Sequence, residues 1–212
     1  RQMMHLPLHP RLARMVIEAQ RLGATDEGCL AAALLSEKDL RLDFRFDAVP
    51  HRGVRTKTFG DSDVAELIDA FRLAADCNFS RSACARERID GPAALRVDQV
   101  SRQLRRGLPS DYDEAVGDSE SLSKALLRGF PDRVAWRRHA GQAELVMCNG
   151  SPARSSESSV VSSARYLVAI DAEERTLTTR KRVGNVRVAC QIDPNWLMDL
   201  DDSALAVDER CY

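Results

Sequence analysis

No glycine-rich phosphate loop is present in this chain. The pattern G-x-x-x-x-G-K-[ST] is missing, and none of the 11 glycines is followed by lysine. A nucleoside triphosphate needs such a turn for its phosphates and a lysine for their charge. No D-E-x-H motif that would place Mg²⁺ occurs either, so the residues supply no means of hydrolysing ATP. The six cysteines (Cys29, Cys77, Cys84, Cys148, Cys190 and Cys211) form no C-x-x-C pair, and no two histidines have zinc-like spacing. They read as buried thiols of a reducing cytosol, which makes a structural metal and a disulfide framework poor expectations. No apolar run approaches the roughly 20 residues that span a bilayer, and no signal-peptide pattern opens the chain, so neither a membrane nor export is expected. A strong charge of either sign is also lacking. The formal net charge is −1 over 212 residues, so only local patches could recruit a polyanion. Carboxylates are many, yet no acid–base pair and no Ser/His/Asp or Cys/His grouping stands out, and a free-standing enzyme has no supporting motif.

What is present is an ordinary globular composition, 44% hydrophobic and 30% charged, in a chain long enough for one large or two small domains. The pattern predicts α+β architecture cut between Gly129 and Pro131. Residues 1–129 read as a helical domain and residues 130–212 as a small β domain with a short terminal helix.

Pro7 and Pro10 bring the chain in extended, and Pro10 then sits at the first position of a helix closed by Gly23. A second helix runs from Glu27 to about Glu37, capped by Asp26. It is apolar nearly all round and therefore central. Lys38 to Gly60 has no steady period and reads as a long exposed connection. Ser62 or Asp63 caps the next helix, with Glu66 in a box-like position and Val64, Leu67, Ile68, Phe71 and Ala75 as its stripe. A short helix near Ser80–Ile89 precedes one begun by Gly91-Pro92, with Leu95, Val100 and Leu104 inward. Ser110–Ser119 reads as a surface loop, and Leu122, Leu126 and Leu127 mark a last helix.

Short strands follow at Val134–Trp136, Leu145–Met147, Tyr166–Ile170, Leu177–Arg182 and Val183–Ile192, the last interrupted by Gly184. Gly150–Ser163 holds seven serines and reads as a flexible loop. Such short strands in so few residues fit a small partly open barrel of OB type.

Several segments carry a family resemblance. The run Leu6-Pro7-Leu8-His9-Pro10-Arg11-Leu12-Ala13 resembles the junction after the winged helix of DEAH-box RNA helicases, which opens their helical, ratchet-like helicase-associated domain. The likeness is greatest to the bacterial HrpB type. Leu30–Glu37, Ser62-Asp63, Cys77-Asn78-Phe79-Ser80, Val100–Leu104, Phe130–Ala135 and Ile192–Leu197 resemble further family segments in the right order. Lys38–Gly60 matches nothing in the pattern, and Ser151–Ser163 is longer and more serine-rich than the pattern implies.

The resemblance implies a fragment of a longer cytoplasmic protein. It implies an accessory module that guides single-stranded nucleic acid, most simply RNA, beside motor domains of the same parent chain. ATP and Mg²⁺ would belong to that motor and no cofactor to this segment. A protein-docking module is the alternative.

Three basic patches could hold phosphates. Arg81 to Arg106 carries seven arginines against Glu87, Asp90 and Asp98, and Arg102, Arg105 and Arg106 share a helical face. In the family this helical domain lines the nucleic-acid channel, so Arg81, Arg102, Arg105 and Arg106 are its candidates. Arg133, Arg137 and Arg138 surround Trp136, which shares a strand face with Val134 and reads as a core residue. Arg180-Lys181-Arg182 lies at an expected hairpin tip.

Overall fold

The computed structural model describes residues 7–42, 60–109, 117–178 and 181–200, the last two stretches by backbone alone over 174–178 and 181–182. Among the described residues, six α-helices precede five strands. They are α1 (Pro10–Arg21), α2 (Thr25–Ser36), α3 (Asp63–Asp76), α4 (Arg81–Arg86), α5 (Gly91–Gly107) and α6 (Ser121–Gly129). The strands are β1 (Val134–Arg137), β2 (Glu144–Met147), β3 (Pro152–Ser155), β4 (Tyr166–Thr178) and β5 (Lys181–Gln191), followed by a 3-10 helix, Pro194–Asp199. Among the described residues, no helix is long and apolar enough to cross a membrane.

α1 starts where the proline pattern places it, with Pro10 in its first turn and His9 as N-cap, the His9 ring nitrogen accepting from the Arg11 amide. α2 lies at the centre and touches α1, α3, α5 and α6. It begins at Thr25 with no side-chain cap; Asp26 and Glu27 instead occupy the first turn, where their charge suits the helix dipole. α1 and α2 approach closely because Gly28 lacks a side chain. A Cβ there would lie 2.4 Å from that of Ala19. On α5 the buried face is Ala93, Ala94, Val97 and Leu104, while Leu95 points to solvent with 43% exposure. Small residues let α5 lie against α2, and that puts Leu95 on the outer side rather than the expected inner one.

The strands close into a barrel in the order β1-β2-β3-β5-β4, with β3 and β5 parallel and every other pair antiparallel. This matches an α+β fold and is consistent with the OB-like barrel expected. Its interior is lined by Ala135, Leu145, Ala153, Leu167, Ala169, Val186 and Ala189. The other face of β4 and β5 presents Val168, Ile170, Val188 and Cys190 to the cluster that also holds Leu126, Leu127 and Val64 from the helices. Both faces of β4 are thus covered, which accounts for its unbroken apolar run.

Two expectations for the β region need correction. The serine-rich stretch contains β3, and Ser159, Val160 and Val161 beyond it are buried. Gly184 does not interrupt β5; it lies within the strand, in parallel register with Ala153 of β3.

The serine-rich stretch is held by the start of α3. Ser62 caps that helix through the Ala65 amide, which frees Asp63 for another task. The buried Asp63 carboxylate accepts from Ser159 Oγ at 2.7 Å and from the amides of Val160 and Ala189, both at 2.8 Å. One side chain therefore ties helix, connection and β5 together.

Of the cysteines, Cys29, Cys84 and Cys190 are buried, Cys77 is half-buried and Cys148 is exposed; Cys211 lies outside the described residues. Burial pushes the Cys29 thiol up to about 11. At mildly alkaline pH only about one Cys29 in a thousand is thiolate. In the native chain a thiol reagent followed by peptide mapping is expected to label Cys148 promptly and to spare Cys29, Cys84 and Cys190. Equal labelling of Cys29 and Cys148 would contradict this packing.

Candidate nucleic-acid interface

β1 is short, and its alternation decides the site. Ala135 and Arg137 turn into the barrel while Trp136 turns out. The residue parity is as the sequence suggests, but the buried side is the opposite one. Trp136 is 36% exposed and is a surface residue, which corrects its reading as core.

Arg137 is correspondingly not a surface cation. It is 1% exposed, its Nε donates to the Ala164 carbonyl at 3.0 Å, one Nη to that of Val161 at 2.7 Å, and the other Nη to that of Gln142. Burial lowers its pKa from the usual guanidinium value. A strand lying on the outside of the barrel cannot reach it.

Around Trp136 the barrel builds an outward row. The register sets Trp136 opposite Val146 on β2 and opposite Tyr166 on β4, and sets Val146 opposite Pro152 on β3. Guanidinium groups lie over the two aromatic rings: Arg138 is 5.8 Å from the centroid of Trp136, and Arg165 is 5.7 Å from that of Tyr166. Both arginines are exposed, and so is Arg154 on β3. Trp136 is exposed, whereas Tyr166 is half-buried and packs against the helical cluster; an exposed aromatic face with cations beside it can stack a base and hold the adjoining phosphates without reading sequence. Tyr166 and Arg165 escape a sequence reading because only strand pairing brings them beside Trp136.

The other basic candidates are distributed less favourably. Arg133 is half-buried, donates to the Ile170 carbonyl at 2.9 Å and lies over Phe130. On α5, Arg102 pairs with Asp98 and Arg105 with Asp26, each at 3.0 Å, while Arg106 is exposed. Arg81 is exposed at the start of α4. The half-buried carboxylate of Asp98 and the exposed one of Asp26 offset part of the charge of Arg102 and Arg105. Arg180 lies outside the described residues, and Lys181 and Arg182 are described by backbone only, opposite Thr178 and Thr176.

No family model matches the chain. Among solved structures it is similar to the crystal structure of the E. coli DExH-box NTPase HrpB, with a TM-score of 0.54 and 22% identity. The match takes in 93% of this chain and 19% of that one, and at such identity the likeness is one of fold.

Proposed function

We propose that the chain is an accessory module of an ATP-dependent RNA helicase of the cytoplasm, in which α1–α6 form a ratchet-like helical bundle and the barrel guides single-stranded RNA. ATP and Mg²⁺ would be handled by motor domains of the same parent chain, and this segment would contribute contact rather than catalysis. The observation that carries the reading is the outward row on β1 and β4, Trp136 and Tyr166 with Arg138 and Arg165 over their rings. The shared fold with part of the HrpB NTPase supports the helicase context. Binding of this kind is tolerant of sequence and sensitive to salt.

The test is a titration of labelled single-stranded RNA, followed by anisotropy at two or more salt concentrations. Trp136→Ala is expected to weaken binding by about tenfold, the loss of one stacked base, and to leave the salt slope unchanged. The double variant Arg138→Ala, Arg165→Ala is expected to flatten that slope by about 1.4, two contacts at roughly 0.7 each. Arg102→Ala should do less than either, since its charge is matched by Asp98. Binding that ignores salt and survives Trp136→Ala would refute the reading. A stable protein partner seated on this row instead would favour docking.

A further inference from the structure

The end of the barrel holds a second feature, on the opposite side of β1 from Trp136. Arg137 is fully buried there, and among the described residues no carboxylate hydrogen-bonds to it. A guanidinium has five N–H donors; three reach main-chain carbonyls, which leaves two. Beside it lies a cavity of about 60 Å³, lined by Arg137, Ser155, Ser156, Ser162 and Glu157 among others. The Ser162 hydroxyl is buried and, among the described residues, has no hydrogen-bond partner.

A buried hydroxyl without a partner is unfavourable, and so is a buried cation to which no carboxylate is bonded. Waters would satisfy the hydroxyl, but of the carboxylates nearby Glu144 acts on the Arg137 charge only through space and Glu157 lines the cavity without bonding to it, so neither takes up the remaining N–H groups. An oxyanion meets both needs, because its oxygens accept from the free N–H groups and from the Ser162 hydroxyl while its charge offsets that of Arg137. We propose that this cavity binds one small oxyanion of the phosphate class, held by Arg137 and Ser162. The space is too small for a phosphodiester with its two sugars, so the ligand is either free phosphate or the terminal phosphate of a strand. Glu157 at the rim opposes the anion and sets its affinity.

The experiment is thermal unfolding of the full chain in inorganic phosphate against chloride at equal ionic strength. Phosphate is expected to raise the midpoint in a saturable way. Ser162→Ala should unfold no earlier than wild type in chloride, since it removes an unsatisfied group, yet lose most of the phosphate shift. Glu157→Gln should reach the same shift at several-fold lower phosphate. A 5′-phosphorylated oligonucleotide compared with its 5′-hydroxyl form identifies the source. A Ser162-dependent gain from the phosphorylated end marks a strand terminus, and a gain from inorganic phosphate alone marks the free ion. No specific shift from either, or a shift indifferent to both substitutions, overturns the proposal. Trp136→Ala leaves the phosphate shift intact, so this site and the RNA-guiding reading can fail separately.

Discussion

Replacing Asp63 with alanine is expected to cost about 4 kcal/mol of unfolding free energy. The buried carboxylate satisfies Ser159 Oγ and the amides of Val160 and Ala189, and alanine would orphan all three. Each buried donor left unmade costs roughly 1–3 kcal/mol, and recovery of the carboxylate's own desolvation returns part of the sum. Urea unfolding gives the magnitude, and amide exchange gives the place, because protection should be lost first at Val160 and Ala189. A change below about 1 kcal/mol would mean that the connection is held by its apolar residues alone. The pH dependence has a definite sign. Burial, only partly opposed by the three hydrogen bonds, holds the Asp63 carboxyl above the usual carboxylate range. Its contribution is therefore full below about pH 4, where the unfolded chain protonates, and declines as pH rises through the folded value. The gap between wild type and Asp63→Ala should be wider near pH 4 than near pH 8. Asp132 behaves the other way. Its hydrogen bond from Arg11 holds it below that range, so its smaller, solvent-screened contribution is present above about pH 4 and fades on acidification.

Gly28→Ala should destabilise the chain by about 2 kcal/mol, although alanine is the better helix former by roughly 1 kcal/mol. The new methyl would stand 2.4 Å from the Ala19 Cβ, a separation that only a shift of α1 against α2 can relieve. Overpacking of this sort costs about 1–3 kcal/mol, and more where backbones must move. The reciprocal change supplies the control. Ala19→Gly added to Gly28→Ala should recover most of the loss, since the clash is relieved and the gain in helix propensity at 28 cancels the loss at 19. Additive effects in chemical denaturation would show that the two residues do not define the crossing.

Local signals were enough for the starts of α1, α3 and α5, though not for α2, which begins at Thr25 without the expected Asp26 cap. Pro10, the Ser62 cap and the Gly91-Pro92 start act within a turn or two, and the elements begin there. What depends on partners was not legible. β3 has no apolar alternation of its own and exists because β2 and β5 flank it. Leu95 looked inward by spacing, but Ala93, Ala94 and Val97 form the buried face of α5 and leave Leu95 exposed. At the candidate interface the alternation along β1 was readable, while the choice of inner side was not. An arginine can be the buried residue when three carbonyls receive it, and nothing local to Trp136-Arg137 announces those carbonyls. The alignment of Tyr166 with Trp136 likewise arises only on barrel closure.

The apolar cluster that runs from α6 through β4 and β5 also constrains how this sequence can diverge. Leu126 and Leu127 are shaped to the surface formed by Val168, Val188 and Cys190. A change of volume on one side calls for an answering change on the other. These positions are therefore expected to drift as matched sets across homologues, whereas the solvent-facing row around Trp136 is free to follow whatever it touches.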